Sequence, residues 1–402
     1  MGAVHEISRA PRASKRTRRI LQWIVGGVGA LTIIGAIVVW PQDTSYRGSI
    51  PTKWEGAEWV TATVVEGEGE FGELLAVVGD GEPQPMFGTE NVTLVPEVGD
   101  RVIALSIPEE GLVFTDFERS SPMIALFIVY IVLVVAIAWW RGIGSLLGLF
   151  IAFGIVIFFT VPSLFDGHHP LVVGLVTGSG ALFVLLYLAH GPNARTTTAY
   201  LGTLAGLVVT AFLAWWAVSA SKLTGLWNEA GLHLEFLDRG VSLQGLILCG
   251  VILAGLGVLN DVTVTQASAV WELRAARPEI SRYELYTRGM RIGRDHIAST
   301  VYTIAFAYVG AALPTIMLVS LYDASMSATL TSVDIAEEII RTLVGSIGLV
   351  LAVPLTTAIG AVVVGEKAVD SDQTVSPLWD RVKRIFDRPD PALAGQPKPR
   401  ES

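Results

Sequence analysis

The stretch PMIALFIVYIVLVVAIAWW, residues 122–140, is followed, after the single charge of Arg141, by GIGSLLGLFIAFGIVIFFTVPSLF, residues 142–165. Each piece is long enough to cross the hydrocarbon of a bilayer as a helix, which takes roughly 17–25 apolar residues. A helix at the surface of a soluble domain would keep one polar face for water, and neither piece has one. Outward from this pair, six more runs carry no charged side chain: 20–40, 170–189, 196–221, 240–259, 297–322 and 342–365. They explain a composition that is 51% hydrophobic and 16% charged, with a mean hydropathy of +0.55. Soluble domains carry about 25% charged residues. The expected fold is an α-helical polytopic membrane protein with about eight transmembrane helices. A soluble enzyme, a secreted protein and a cytosolic regulator are excluded.

No enzymatic centre is expected. None of the six Lys is followed by Ser or Thr, so there is no Walker A loop. The single Cys, Cys249, excludes CxxC motifs and disulfides within the chain. HExxH and GxSxG are absent. The sequence implies no cofactor, no metal and no nucleic-acid partner.

Charge sets the expected orientation. Arg9, Arg12, Lys15, Arg16, Arg18 and Arg19 precede the first run, whose 21 residues exceed a signal-peptide core. This segment reads as a basic cytoplasmic N-terminus (1–19) and an uncleaved anchor (20–40). Alternating eight helices puts both termini inside. It then places 21 of the 28 Lys and Arg on the cytoplasmic side, in accord with the positive-inside rule. Trp40, Trp139, Trp140, Trp215 and Trp216 fall at or near run ends, where amphipathic rings favour the interface. The outer segments sum to −17 and the inner ones to +8. This asymmetry either serves orientation and solubility or makes an outer face that gathers cations. Residues 122–365 form the remaining bundle of seven helices, and 366–402 a cytoplasmic tail expected to be disordered.

Between the first two helices, residues 41–121 are expected to form a small extracytoplasmic β-rich domain, a barrel or sandwich, with an OB-like barrel as one form. The alternation WVTATVV at 59–65 favours a half-buried strand. Residues 74–78, 92–95, 101–107 and 112–115 are further strand candidates, with turns at Gly79-Asp80-Gly81 and Val98-Gly99-Asp100. Glu66, Glu68, Glu70 and Glu73, separated by glycines, read as a solvated hairpin tip or as carboxylates for Ca²⁺. Asn91-Val92-Thr93 fits a glycosylation sequon.

The polar exceptions inside the bundle are the candidate functional residues, because a charge at a membrane-helix centre costs at least ~2.5 kcal/mol. After the sixth run, Asp261, Thr265, Ser268 and Glu272 stand at i, i+4, i+7 and i+11, which puts them on one helical face. A membrane-depth carboxylate among hydroxyls can exchange a proton or ligate a small cation. Asn260 could add a carbonyl oxygen. The alternative is that Asn260 or Asp261 caps a separate interfacial helix. Ser281 and Glu284 form a capping box for a basic amphipathic helix, 281–296, carrying Arg282, Arg288, Arg291 and Arg294. It suits anionic lipid at the cytoplasmic interface. Its end, Asp295-His296, is either part of a proton path with Asp261 or held structurally by an Asp295–Arg291 pair.

Pro314 and Pro354 interrupt the last two runs, beside Thr315, Thr356 and Thr357. Such breaks build transporter sites or remain ordinary kinks. His190-Gly-Pro-Asn-Ala-Arg195 is an inner loop, with Thr196 or Thr197 as the next helix cap and His190 and Arg195 as candidate substrate contacts. Asp166-Gly167-His168-His169 offers too few ligands for a metal alone. Gly144/Gly148, Gly174/Gly178 and Gly202/Gly206 predict close helix packing and a possible homo-oligomer.

Two blocks, GLGVLNDVTVTQASAVWEL at 255–273 and GRDHIASTVYTIAFAYVGAALP at 293–314, resemble the YibE/F family of bacterial membrane proteins. The resemblance spans roughly residues 120–370, and the anchor with the external domain is similar to the N-terminal part of family members. It implies a multi-pass protein of the bacterial cytoplasmic membrane with a transport role, and it supplies no substrate. The first functional expectation is a secondary transporter or exporter of a small solute or ion, coupled to protons or a small cation. In it Asp261 couples, Thr265, Ser268, Glu272, Asp295 and His296 line the inner half, and Thr356 and Thr357 face them. The second is an envelope assembly or sensor protein that uses the external domain, and the third is a passive channel.

Overall fold

The computed structural model describes residues 13–43, 45–67, 74–88, 94–108, 110–226, 229–236, 240–323 and 325–364. Arg9, Arg12, the acidic tip at Glu68, Glu70 and Glu73, the sequon at 91–93 and the tail from 366 lie outside the described residues.

The chain begins with α1, Lys15–Val38, capped by the Ser14 hydroxyl, which accepts from the Thr17 N–H at 3.0 Å. A closed five-stranded barrel follows: β1 (Glu58–Glu66), β2 (Leu74–Val78), β3 (Gln84–Phe87), β4 (Arg101–Ile107) and β5 (Gly111–Phe117). The strand order is β1-β2-β3-β5-β4, closing on β1, with β3–β5 parallel and every other pair antiparallel. A five-stranded closed barrel of this kind is the OB type. Alternate side chains, among them Val64, Leu74, Met86, Val102 and Leu112, fill its interior. The strand expected at 92–95 is not the third strand: Leu94 and Val95 are irregular, and 84–87 takes that place. Pro83 and Pro85 hid it, since proline weakens a strand reading. The strand is short, and Pro85 pairs opposite Leu75 while Met86 points inward. Where β5 leads into the next helix, Arg119 sits 2.7 Å from Asp116. Its guanidinium, and then the Phe117 N–H, hold that carboxyl below its ordinary range.

The helical part comprises α2 (Ser120–Ile155), a π-helical turn (Val156–Thr160), α3 (Val161–Phe165), α4 (Pro170–His190) and α5 (Ala194–Ala220). It continues with α6 (Glu229–Phe236), α7 (Leu243–Ala276), α8 (Arg282–Ala311), α9 (Leu313–Ser320), α10 (Met326–Leu330) and α11 (Val333–Val363). Among the described residues, six helices are long and apolar enough to cross a membrane, and α8 with α9, bent by 62°, forms a further candidate. Ile137 and Trp23 are 83% and 82% exposed, on helices whose apolar side chains face outward almost all round. Surfaces of that size and character belong in lipid. The core is built by α4, α5, α7, α8 and α11. α1 leans on it through the Thr32 hydroxyl, 2.8 Å from that of Ser179.

Three expectations can be set against these helices. First, the runs 122–140 and 142–165 meet at a sharp break at Trp139 (φ 54°, ψ −134°) within the span Ser120–Phe165. The chain doubles back there: a Cβ on Gly142 would lie 2.6 Å from the Val134 carbonyl oxygen, although eight residues of straight helix would keep them about 12 Å apart. Second, no helix starts at Asn260 or Asp261. α7 is capped by Ser242 and runs on to Ala276 without a break. Third, the amphipathic segment 281–296 runs unbroken into the seventh run as the first half of α8. Gly289 and Gly293 hold that half against α7 and α11, with Val270, Gln266, Val353 and Thr357 as neighbours. The Ser281 cap itself is present, accepting from the Glu284 N–H at 3.1 Å.

All six glycines of the three predicted pairs sit at helix contacts. Gly144 and Gly148 face Leu188 and Leu185 of α4, Gly174 and Gly178 face α5 and α7, and Gly202 and Gly206 face α7 and α11. The Trp139 fold-back makes the sharpest test. Gly142→Val places a branched side chain on the Val134 carbonyl, and overpacking of this kind costs about 1–3 kcal/mol. Equilibrium unfolding in mixed micelles should show that loss, whereas Gly154→Val, where a Cβ meets nothing within 4 Å, should be neutral.

Candidate functional site

Among the buried polar groupings of the described residues, two stand at opposite ends of the α8–α11 contact. The first centres on Gln266 of α7, 2% exposed. Its amide Nε2 donates to the Gly289 carbonyl of α8 at 2.9 Å and to Thr357 Oγ1 of α11 at 2.7 Å. Thr357 in turn donates to the Val353 carbonyl at 2.7 Å. One side chain thus joins three helices with both amide hydrogens used. Close by on α7, the Thr263 hydroxyl lies 2.6 Å from that of Thr203 on α5. Thr356, fully buried, donates to the Ala352 carbonyl at 2.7 Å and packs on Gly202.

The second grouping is Glu337–Arg341–Glu338 at the start of α11. Arg341 donates to Glu337 at 2.7 Å and to Glu338 at 2.9 Å. Glu337 is 3% exposed. Next to it, α8, the bent α9, α10 and α11 line a half-open, largely apolar cavity of about 660 Å³, with Glu338 and Thr342 in its wall. From Glu338 to Thr357, α11 rises about 28 Å.

The predicted face on α7 forms as its spacing requires, but it turns outward. Asp261, Thr265 and Glu272 are exposed and Ser268 is half-buried, while Val262, Gln266 and Val270 line the core side. The Thr265 hydroxyl donates to the backbone carbonyl of Asp261 at 2.8 Å, not to its carboxylate. Asp295 is exposed and forms no ion pair with Arg291; Glu284 instead binds Arg288 at 2.8 Å. His296 and Asn260 are half-buried, and His296 Nε2 and Asn260 Oδ1 are enclosed without a protein hydrogen bond. The structure therefore brings Thr356 and Thr357 to the buried cluster and leaves Asp261, Thr265, Glu272 and Asp295 outside it.

Pro314 breaks the chain as expected, opening α9 at the 62° bend. Pro354 does not: α11 continues through it, and Thr356 and Thr357 bond carbonyls of their own preceding turn. At the other loop, the α5 cap is Asn193 rather than Thr196 or Thr197, accepting from the Thr196 N–H at 2.9 Å. Asn193 Nδ2 also donates to the His190 carbonyl at 2.9 Å, so the loop closes on itself, with His190 and Arg195 half-buried beside it. Asp166 accepts from the Gln42 and Asp43 N–H groups, which ties the end of α1 to the loop before α4.

Sequence reasoning missed Gln266, Arg274 and the Glu337–Arg341–Glu338 cluster. Gln266 had a signal: it lies four residues from both Val262 and Val270, in mid-stripe of the buried face. Arg274, 2% exposed, donates to the Pro278 and Ile280 carbonyls at 3.1 and 2.6 Å and closes the α7–α8 turn. The acidic pair with Arg341 at i+3 and i+4 reads from sequence as a solvated helix start.

The fold and these clusters define a polytopic membrane protein with a small barrel inserted after its first helix. The profile of the YibE/F-like protein family matches residues 126–366, and the chain belongs to that family. The match begins beyond α1 and the barrel and takes in both buried clusters. No curated protein and no solved structure matches the chain.

If Gln266 clamps three helices, Gln266→Leu and Thr357→Val should not be additive. A double-mutant cycle in mixed micelles should give a coupling of about 0.6–1.7 kcal/mol, the range of hydrogen bonds between membrane helices. A coupling of zero would mean that the bond contributes nothing.

Proposed function

We propose that the chain is a secondary transporter or exporter of a small solute, driven by protons or a small cation, in the bacterial cytoplasmic membrane. In this reading both termini are cytoplasmic and the barrel lies outside. The crossings are α1, the two halves of α2 on either side of Trp139 (the second with α3), α4, α5, α7, α8–α9 and α11. Taken as one rod, the 46 residues of Ser120–Phe165 would measure about 69 Å, more than twice the ~30 Å hydrocarbon core, so two crossings suit them better.

The observation that carries the proposal is the pair of polar clusters at the two ends of one helix contact, with a broken helix and a cavity at one of them. Alternating access needs a closure at each end of the path, and discontinuous helices are a recurrent way to build the site between them. Gln266 and Thr357 would close the inner end, and the cavity at the α8–α9 bend would open to the outer half. Asp261 remains the candidate coupling carboxylate, with Asn260, Asp295 and His296 near the same level and Thr265, Ser268 and Glu272 on the approach. Its exposure on a single chain would be costly in lipid, and a second copy covering that stripe would remove the cost. Arg291 and Arg294, both exposed, suit anionic lipid headgroups on the inner side.

The test uses purified protein in liposomes loaded with a pH-sensitive dye and given a pH step with sodium or potassium on the opposite side. Protein-dependent proton flux is expected, slowed tenfold or more by Asp261→Asn. No flux under any gradient would refute the proposal, and flux that never couples to the cation would make the protein a channel. A second reading, a non-transporting envelope assembly or sensor protein, draws on the barrel. Trp54, Trp59 and Phe87 stand exposed on it, at 64%, 43% and 44%. Loss of function on deleting 45–118 alone, with no flux in liposomes, would favour it.

A further inference from the structure

The turn between α4 and α5 gathers positive charge from two helices. Gly144 of α2 packs on Leu188 and Ala189 of α4, and Gly148 packs on Leu185, so α2 and α4 run antiparallel there. Arg141, about one turn before Gly144, therefore stands beside the α4–α5 turn. Arg195 belongs to the first turn of α5. Both guanidinium charges are close enough to act on the His190 imidazole. Among the described residues neither arginine has an ion pair. Two carbonyls at the end of α4 are already used: that of Tyr187 takes the Gly191 N–H at 3.0 Å, and that of His190 takes Asn193 Nδ2 at 2.9 Å.

The start of α5 adds donors. Asn193 takes the Thr196 N–H with its side chain and the Thr197 N–H with its carbonyl, both at 2.9 Å. The N–H groups of Ala194 and Arg195 come before the first hydrogen bonds of the helix. Thr196 is 2% exposed, and its Oγ1 is enclosed without a hydrogen bond to the protein. The carbonyl four residues back, which serves Thr203 and Thr210, belongs here to Pro192 in the turn. Side chains of a helix lean toward its N-terminus, so this hydroxyl lies toward the end that carries Arg195 and the two N–H groups.

From this geometry we infer that the α4–α5 turn binds a phosphate group, held by Arg141, Arg195, the opening N–H groups of α5 and the Thr196 hydroxyl. The sign follows from two guanidiniums without a carboxylate and from the positive end of a 27-residue helix. The shape follows from donors that arrive from two helices. A planar carboxylate offers two oxygens on one edge, whereas a phosphate presents several edges, each matched to a guanidinium fork.

The inference does not rest on the transport reading, and its test needs no flux. Phosphate groups occur both free and on lipid headgroups, and two arms tell these sources apart. In the first, inorganic phosphate is titrated into the full chain in maltoside micelles stripped of lipid, with chloride at equal ionic strength as the blank. In the second, phosphatidylglycerol is added to the same micelles. Saturable binding in at least one arm is expected. Phosphate binding that the lipid leaves unchanged assigns the site to a soluble phosphate. Displacement of phosphate by the lipid, or binding of the lipid alone, assigns it to a headgroup. In whichever arm binds, Arg141→Gln and Arg195→Gln should each weaken binding about tenfold or more. Thr196→Val should weaken it about threefold without loss of thermal stability, because the hydroxyl it removes has no partner in the protein. Lys222→Gln, which removes one charge beyond the far end of α5, should change nothing. Arg141 is exposed, so its variant leaves the packing alone and decides the matter if Arg195→Gln fails to fold. No saturable binding in either arm would overturn the inference. So would full affinity in the folded arginine variants, or an equal loss in Lys222→Gln, which would mark attraction to net charge only.

Discussion

Helices surrounded by lipid gain little from hiding apolar surface, because the solvent is apolar too. What holds this bundle is close approach of backbones at glycine, and the residue opposite is repeatedly a polar one. Gly202 meets Thr356, Gly348 meets Thr210, Gly289 meets Thr357, and Gly293 meets Gln266 and Val353. A threonine in such a contact must find an acceptor, since water is absent. Thr210, Thr356 and Thr357 each use the carbonyl four residues back, at 2.9, 2.7 and 2.7 Å. Their hydroxyls are satisfied within their own helix, which leaves the methyl groups free to pack. Gln266 is the departure from this rule, for its donors cross to two other helices.

That division also explains where the charges lie. A neutral amide with both hydrogens engaged costs far less to bury than a carboxylate. The core of the α7–α8–α11 contact accordingly holds Gln266, while Asp261, Glu272 and Asp295 stand on outward faces. The buried carboxylate Glu337 is paired with a guanidinium at 2.7 Å. Arg274 is buried by a different device, turning its guanidinium onto two carbonyls of the loop that follows its own helix.

Much of this architecture could be read from the sequence, because lipid imposes a crude and visible rule on composition. The long apolar runs, the packing role of the paired glycines, the Ser281 cap and the break at Pro314 needed only local information. So did four of the five strands. The barrel's third strand was lost because Pro83 and Pro85 outweigh one inward methionine in any local reading. The fold-back at Trp139 was marked only by Arg141 between two runs, and no backbone signal distinguishes tryptophan there. The site was the least legible part. Helical spacing correctly grouped Asp261, Thr265, Ser268 and Glu272, yet periodicity states which residues share a face and not what that face meets. Charge attracted attention to the outward stripe, whereas the contact between three helices rests on an uncharged amide.

The length of α7 has one more consequence. Its 34 residues measure about 51 Å, well beyond the ~30 Å hydrocarbon of a bilayer. An upright α7 therefore extends past the lipid, and the tight corner closed by Arg274 would stand clear of the surface. From that corner back to Gln266 is an unbroken rod of about 15 Å. A push or twist applied at the tip travels up it to the amide where three helices meet.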